Sequence, residues 1–334
     1  MPDPRRRVTR LAPSPTGALH LGNALTFMTN WAMARKLGWE VVLRVEDLDG
    51  TRIKPGSADQ AIAVLRWLGM DWDRGPLYQR HDLKPYHEAL SLLRDRGLIY
   101  ACQATRKQIE AALSAPNEGD HELRYPGPAA MAQSLGPQEV SPPLSLQARM
   151  PLLEDDAYAW RLVVPDREVA YVDELHGNKR LNVQQQVGDF VVASKAGLPA
   201  YQLAVVVDDA RQGITDIVRG DDLMDSAPRQ RILYEALGLV DEQTPPPGYY
   251  HLPMVYGPDG LRLAKRHGDT RLVYYQSSGV CASRVIGLLA YWGGLQAQRT
   301  PMSASEYVRA FDPDKIRLDP IHFCAEDEAW LQAE

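Results

Sequence analysis

The first hundred residues alternate short strand-like runs with longer helix-like stretches, and this alternation constrains the fold more than any other feature of the chain. Residues 8–11 and 41–45 are rich in β-branched side chains, which is typical of strands. Helices are predicted over residues 20–37, 57–68 and 82–96, each followed by a glycine of the kind that commonly ends a helix. Strand, helix, strand and helix in this order predict a parallel α/β sheet.

The alternation breaks between residues 100 and 186, where prolines fall close together and no long helical period survives. Short strand candidates follow at residues 146–150, 159–164 and 169–172. We therefore interpret this stretch as an antiparallel insertion into the parallel sheet.

The α/β pattern resumes after the insertion. Residues 203–207 form an unbroken apolar run, which is typical of a strand buried on both faces, and residues 214–218 are a second strand candidate. A helix is predicted over residues 226–237, and from Asp269 the chain is predicted to be mostly helical. The predicted units are residues 1–99 and 187–243 as two halves of one α/β domain, residues 100–186 as the insertion, and residues 244–334 as a C-terminal subdomain.

Composition is that of an ordinary globular protein. The chain has 334 residues, of which 45% are hydrophobic and 24% charged, which excludes wholesale disorder, collagen and coiled coil. The formal net charge of -6 does not indicate a nucleic-acid binder. Residues 1–54 nevertheless hold nine Lys and Arg against five Asp and Glu, which is compatible with a local basic face.

Two features bear on the cellular compartment. The three cysteines are odd in number and widely spaced, which predicts free thiols in a reducing environment. Residues 11–34 lack charged side chains and so resemble a signal peptide, but prolines, glycines and asparagines interrupt the apolar core that such a peptide needs. We therefore predict a cytoplasmic protein without membrane attachment.

The first segment that indicates chemistry is a turn followed by a helix start at His20-Leu21-Gly22-Asn23. A helix N-terminus offers unpaired N–H groups and a positive dipole end, which suit a phosphate. Gly22 would let a nucleotide approach the backbone, and His20 could donate to phosphate oxygens. The plain structural alternative is a helix start with a capping histidine.

The second such segment spans residues 261–268, in a predicted loop. Arg262, Lys265 and Arg266 alternate there with small apolar residues. Such a loop can clamp a polyphosphate, and the alternative is a solvated charged loop.

Together the two segments resemble the paired motifs of class I aminoacyl-tRNA synthetases. In that group the His-x-Gly helix start holds ATP, and a later Lys-containing loop closes on the triphosphate. The resemblance covers about residues 8–330 and narrows to the glutamyl-tRNA synthetase family on four segments: residues 10–17, 44–47, 218–223 and 263–268. It implies a Rossmann-type parallel sheet with an antiparallel insertion, and a C-terminal helical subdomain of the kind that contacts a tRNA stem.

Length then indicates a branch of that family. Only 69 residues follow Lys265, whereas full-length members carry an anticodon-binding domain there. The chain resembles the short branch, the glutamyl-Q tRNA(Asp) synthetases, whose patterns residues 171–177 and 200–209 also fit. The resemblance implies a ligase, active as a monomer, that activates L-glutamate with ATP and Mg²⁺ and transfers it to the queuosine base of tRNA(Asp).

Three alternatives stay open at this point. One is a truncated glutamyl-tRNA synthetase that charges tRNA(Glu). Another is a nucleotidyltransferase of a different family, similar to pantothenate synthetase. The third is a catalytically inactive paralogue that acts as an RNA-binding module.

The resemblance also implies roles for individual residues. It assigns ATP to His20, Gly22, Asn23, Arg262 and Lys265, with His20, Asn23 and Lys265 as the catalytic residues among them. Arginine suits carboxylates because its guanidinium binds them in a fork, and a structural salt bridge is the alternative for each charged residue. The residues assigned to glutamate are Arg10, Leu11, Ala12, Pro13, Ser14, Glu46, Tyr201 and Arg219.

The chain departs from the family pattern in three places. Asn23 replaces a histidine in the ATP motif, and Ala264 replaces a serine in the Lys loop. Where family members often bind zinc through several cysteines, this chain has Cys102 and Tyr125 with no further cysteine nearby. Because structural zinc takes about four ligands, we expect no zinc, and unforeseen ligands such as His121 or Glu122 would be needed to hold one.

Overall fold

A computed structural model describes residues 6–48, 53–104, 124–125, 127, 158–241, 243–263 and 270–333. The N-terminal half begins with strand β1 (Val8–Leu11), helix α1 (Leu21–Leu37) and strand β2 (Glu40–Val45). Helix α2 (Ser57–Trp67) leads to strand β3 (Arg74–Tyr78). The three strands pair in parallel in the order β1-β2-β3. The strand–helix alternation predicted from the sequence is therefore confirmed here.

A second sheet has the strand order β7-β6-β10-β9, formed by β6 (Glu168–Asp173), β7 (Gly177–Asn182), β9 (Asp216–Gly220) and β10 (Gly248–Leu252). Strand β10 is parallel to both β9 and β6, whereas β7 is antiparallel to β6. The two sheets meet along β1 and β9, where the Thr215 N–H donates to Val8 O at 2.9 Å. This junction is where a doubly wound sheet opens a crevice for ligands.

Two antiparallel units involve the region predicted as an antiparallel insertion, residues 100–186, and the first of them extends beyond it to a third strand. Strands β4 (Ile99–Cys102), β5 (Ala159–Leu162) and β8 (Val191–Ala193) form a small antiparallel sheet. The hairpin of β6 and β7, in contrast, extends the sheet of β9 and β10 and is followed by a single turn, α4 (Val183–Gln186). The strand predicted at residues 146–150 lies outside the described residues.

The strand predicted at residues 203–207 is wrong. These residues belong to helix α5 (Tyr201–Gln212), in which every residue from Gln202 to Asp209 is buried. The helix packs against α3 (Lys84–Asp95) and α6 (Ser226–Leu237). A helix that is covered on all sides shows no amphipathic period, so its apolar run looks like that of a buried strand.

The C-terminal part is helical, as predicted. A short parallel pair of strands, β11 (Val255–Tyr256) and β12 (Ile321–His322), connects it to the sheet region. Helix α1 packs against β1 and β9 and also against α8 and α9, so one hydrophobic core spans both parts. The C-terminal helices are α7 (Leu272–Ser277), α8 (Ala282–Trp292), α9 (Ala304–Ala310) and α10 (Ala325–Gln332).

The structure is thus an α/β fold with parallel strands, as predicted. Within the described ranges, no helix combines the length and the apolar character needed to cross a bilayer.

Candidate active site

The residues expected to bind an amino acid lie at the carboxyl ends of neighbouring parallel strands. Arg10 is the third residue of β1, Glu46 directly follows β2, and Arg219 is the fourth residue of β9. Tyr201 opens α5 and keeps 40% of its surface exposed. Ligands of open α/β sheets bind at this edge.

Residues 10–14 continue from β1 towards Glu46. The Glu46 N–H donates to Pro13 O at 3.0 Å, which joins the ends of β1 and β2. Along this segment Leu11 and Pro13 are buried, Ala12 is half-buried and Ser14 is exposed. Ser14 is therefore the residue of this segment with an exposed side-chain hydroxyl, and its Oγ lies 3.3 Å from Thr16 Oγ1.

A buried ion cluster lies beneath this edge. Arg44 is fully buried, and its Nη1 donates to Asp209 Oδ1 at 2.6 Å while its Nη2 donates to Glu46 Oε1 at 3.2 Å. Arg10 Nε lies 3.4 Å from the same Asp209 Oδ1. Asp209 of α5 thus holds one arginine from each of two strands, and Arg44 in turn holds Glu46.

Arg10 has hydrogen-bonding capacity to spare. It is 5% exposed, and its Nη1 donates to Val218 O at 3.4 Å across the junction of the two sheets. Among the described residues, Arg10 Nε and Asp209 Oδ2 have no hydrogen-bond partner. Arg10 Nε thus contacts Asp209 as an ion pair and not as a hydrogen bond, and a buried guanidinium of this kind at a ligand crevice suits a carboxylate.

The Glu46 carboxylate is largely buried next to two arginines. Burial raises its pKa above the usual range, and the neighbouring Arg44 and Arg10 oppose that shift. A carboxylate flanked by two arginines suits an ammonium group that approaches from the open side.

Arg219 is held from three sides. Its Nε donates to His251 Nε2 at 3.0 Å, its Nη1 to Gln230 Oε1 at 2.9 Å and its Nη2 to Leu223 O at 3.1 Å. The side chain is buried, and its Cζ lies 5.3 Å from the centre of the Tyr249 ring. The guanidinium plane is therefore fixed by the protein before any ligand binds.

The His-x-Gly segment forms the N-terminus of α1. His20 Nδ1 accepts a hydrogen bond from the Gly22 N–H at 3.1 Å, so the ring proton lies on Nε2. Burial, together with the nearby charge of Arg262, lowers the pKa of His20 to about 4. At neutral pH His20 is thus an uncharged donor through Nε2.

The helix N-terminus is less open to a phosphate than expected. The Leu21 N–H donates to Thr270 O at 3.2 Å, and the Gly22 N–H is used by His20. Asn23 Oδ1 accepts from the His20 N–H at 3.1 Å, so the asparagine takes part in capping its own helix. The side-chain donors His20 Nε2 and Asn23 Nδ2, with the helix dipole, are then the groups that this turn can present to an anion.

Of the two basic residues expected to clamp a triphosphate, Arg262 and Lys265, the structure describes only Arg262. Arg262 is on the loop after β11, and its Nη2 lies 2.8 Å from Asp222 Oδ2. Lys265 lies outside the described residues. A polar cavity of about 360 Å³ opens beside the same helix start, between residues 15–18 and the first turn of α2, with Lys54 and Arg271 in its wall.

The expected remnant of a zinc site is partly described. Cys102 Sγ lies 3.6 Å from the Tyr125 hydroxyl, and both residues are buried. The part of the chain with assigned positions contains no cluster of three or more metal-ligating side chains. His121 and Glu122 lie outside it, so the absence of zinc stays a prediction.

Comparison with known proteins identifies the family. The profile of the catalytic domain of class I tRNA synthetases (E and Q) matches residues 7–324. A glutamyl-Q tRNA(Asp) synthetase of Symbiobacterium thermophilum is 42% identical, over 96% of this chain and 97% of its own length. A protein of the same name from Rhodopirellula baltica is 44% identical over 86% of this chain and 85% of its own.

The chain belongs to the glutamyl-Q tRNA(Asp) synthetase branch of the class I tRNA synthetases for glutamate and glutamine. It is accordingly a ligase that uses ATP and acts on an amino acid and a tRNA. A solved glutamate-tRNA synthetase from Elizabethkingia anophelis has the same fold, with a TM-score of 0.78 and 26% identity over 98% of this chain and 70% of that chain.

Four residues that shape the site had no assigned role in the sequence analysis. Arg44 and Asp209 form the buried ion cluster, and His251 and Asp173 support Arg219. A helical assignment of residues 201–212 would have pointed to Asp209, because it places this residue about two turns after Tyr201 on one buried helix. His251 has no local signal, because an isolated histidine in an apolar strand looks like any core residue.

We expect Arg44→Met to lower the free energy of unfolding by about 3–5 kcal/mol, because it leaves Asp209 buried with too little positive charge beside it. Chemical denaturation measures this. Arg167→Met, which breaks the half-exposed ion pair with Glu235, is the control and should cost less than about 1 kcal/mol. Equal effects of the two variants would contradict the structural importance of the buried pair.

We expect Gly22→Ala to weaken ATP binding. A Cβ at Gly22 would lie 3.1 Å from the His20 ring, so the ring must shift by a few tenths of an ångström. Small misplacements of positioning groups are costly, and we expect the ATP dissociation constant to rise about tenfold by calorimetry. Gly248→Ala, whose Cβ would make contacts of 3.5 Å or longer, is the control; matching affinities in both variants would mean that the His20 ring does not position ATP.

Proposed function

We propose that this protein activates L-glutamate with ATP as glutamyl-adenylate and transfers the glutamyl group to the queuosine base of tRNA(Asp). The observation that carries the proposal is the pair of buried arginines, Arg10 and Arg219, on neighbouring strand ends beside Glu46. Glutamate has two carboxylates and one ammonium group at neutral pH, and this set of charges is complementary to them.

The first step is an attack of the glutamate α-carboxylate on the α-phosphorus of ATP. A bond forms between a carboxylate oxygen and that phosphorus, and the bond to the leaving pyrophosphate breaks. The attacking carboxylate is already ionised at pH 7, so the step needs no general base. The protein has to position the two reactants and to stabilise developing charge.

On the amino-acid side we assign the carboxylates to Arg10 and Arg219 and the ammonium group to Glu46. Residues 11–14 and Tyr201 line the same crevice. Arg10 is our candidate for the side-chain carboxylate. An amide in that place would leave the arginine poorly paired, so glutamine should be rejected.

On the ATP side we assign the triphosphate to His20, Gly22, Asn23, Arg262 and Lys265. His20 supplies an Nε2–H donor, and Lys265 supplies charge where charge develops in the transition state. Arg262 would exchange Asp222 for a phosphate oxygen as ATP binds. Mg²⁺ would enter with ATP, held mainly by phosphate oxygens and water.

The choice of acceptor rests on the relatives. Proteins named glutamyl-Q tRNA(Asp) synthetase match at 39–44% identity, whereas those named glutamate–tRNA ligase match at 32–34%. The latter still align with nearly the whole chain, so charging of tRNA(Glu) is the second candidate. A cytoplasmic location, a monomeric state and the lack of zinc remain predictions that accompany the proposal.

We expect glutamate-dependent ATP–pyrophosphate exchange without any tRNA, and much weaker exchange with glutamine. Lys265→Ala should lower kcat by about 10²–10³-fold and change the glutamate KM little, because its charge acts in the transition state. Lys84→Ala, on the exposed face of α3, is the control. Exchange that requires tRNA would favour the second candidate. A lack of exchange with every amino acid tested would indicate an inactive RNA-binding paralogue.

We expect labelled glutamate to transfer to tRNA(Asp) from queuosine-competent cells and not to the same tRNA without queuosine. Loop bases of RNA can be splayed out into a protein pocket, and the modified base would present the acceptor hydroxyl there. The control is the same queuosine-containing tRNA without its 3′-terminal adenosine, which removes the terminal ribose and leaves queuosine intact. Labelling that depends on the terminal ribose, or equal labelling of both tRNAs, is incompatible with this acceptor.

A further inference from the structure

A buried row of hydrogen bonds reaches Arg219 from β10 and β6, the strands that lie on the side of β9 away from β1. His251 of β10 lies between Arg219 of β9 and Asp173 of β6, with Nε2 3.0 Å from Arg219 Nε and Nδ1 2.5 Å from Asp173 Oδ2. His251 and Asp173 are both completely buried. None of the steps above uses either residue.

The row permits only one tautomer of His251. Arginine nitrogens donate and never accept, so His251 Nε2 has to accept from Arg219. The ring proton is then on Nδ1 and is donated to Asp173. Burial and the adjacent charge of Arg219 lower the pKa of His251, in line with a neutral ring.

The two carboxylate oxygens of Asp173 have different partners, and this determines which of them faces His251. Its Oδ1 accepts from the backbone N–H groups of Leu175 and His176 at 3.0 and 2.9 Å. Oδ2 is left for His251. Although burial disfavours its charge, these hydrogen bonds lower the pKa of Asp173, so the carboxylate is ionised at neutral pH.

The other side of Arg219 is fixed by amides. Gln230 accepts from Arg219 Nη1 and donates to Gln202 Oε1 at 3.1 Å, and Gln202 donates to Ser226 Oγ at 3.0 Å. Of the five guanidinium donors, the hydrogen bonds within the described chain use three: Nε–H and one N–H on each terminal nitrogen. Two donors remain, one on each terminal nitrogen, and a carboxylate can accept from both terminal nitrogens of a guanidinium as a fork.

We propose that Asp173 and His251 are positioning residues for the amino-acid substrate, which act by holding the Arg219 fork in the orientation that binds a glutamate carboxylate. Asp173 selects the tautomer of His251, and that tautomer accepts from Arg219 Nε. The inference rests on the proposed function, since it takes Arg219 as a ligand of glutamate.

Asp173→Asn tests the tautomer directly. Oδ1 of the asparagine would keep the two backbone donors, so its NH₂ group would face His251 Nδ1. The ring then either meets a second donor at Nδ1 or changes tautomer and presents Nε2–H to Arg219 Nε–H. In the first case the His251 ring loses its anchor at residue 173, and in the second Arg219 Nε loses its acceptor, so the fork is held less firmly although Gln230 and Leu223 O still accept from it.

For Asp173→Asn in the full-length protein we expect the glutamate KM in pyrophosphate exchange to rise about tenfold to a hundredfold, with the ATP KM within about twofold of wild type. His251→Leu should do the same. His251→Gln keeps an acceptor oxygen for Arg219 and should recover most of the loss. The double variant Asp173→Asn/His251→Leu should be no worse than His251→Leu alone, because both act through one ring.

Asp216→Asn is the matched control. Asp216 is also a fully buried aspartate in this sheet, but it pairs with Arg7 and Thr215 and does not support Arg219. It should lower the melting temperature without raising the glutamate KM. An Asp173→Asn variant that behaves like Asp216→Asn, or equal KM values for His251→Gln and His251→Leu, would overturn the proposal.

A spectroscopic readout is independent of activity. With ¹⁵N-labelled histidine, the His251 signal should be that of an Nδ1–H tautomer in the wild type, and its absence from the His251→Gln spectrum assigns it. An Nε2–H tautomer in the wild type would refute the inference. A wild type without glutamate-dependent exchange would instead refute the proposed function, so the two failures are distinguishable.

Discussion

The carboxylate of Asp209 is the group on which the site depends. It is completely buried and lies between Arg44 and Arg10, at 2.6 and 3.4 Å. A charge in such a place is very costly unless partners surround it, so α5 can pack only where both arginines reach it. That requirement sets the position of α5 against β1 and β2, and with it the position of Tyr201 at the start of the helix.

Buried polar contacts also connect this ion cluster to the second sheet. Arg10 links to β9 through Val218 O, and β9 carries Arg219, which His251 of β10 supports. Arg10, Glu46 and Arg219 are therefore each held by another buried polar group on a strand or helix. Sites built on such rigid elements keep their geometry when empty, which lowers the cost of ordering them around a substrate.

The sequence predicted the first half of the fold well because its signals are local. Gly38, in the left-handed conformation at φ 71°, ends α1 where expected, and the strand ends that carry Arg10 and Glu46 follow from the same alternation. Helix α5 was mistaken for a strand because burial on all sides removes the helical period. The pairing of Asp173 with His251 joins residues 78 apart in sequence, and no local pattern encodes it.

The departure at Asn23 changes where charge must come from. The asparagine oxygen accepts from the His20 N–H, which a helix start requires, and His20 itself is neutral at pH 7 because its pKa is lowered to about 4. The helix start thus contributes a dipole and side-chain donors but no full positive charge. If a triphosphate binds here, its compensating charge has to come from side chains outside the helix start, among them Arg262 on the loop after β11, which is held next to Asp222. That carboxylate keeps the arginine near the site while it is empty, and it is a weaker attraction than a triphosphate, which carries several negative charges on one ligand. In the proposed function, the exchange of Asp222 for phosphate is then favourable when ATP is present, so Arg262 responds to the nucleotide without a further trigger.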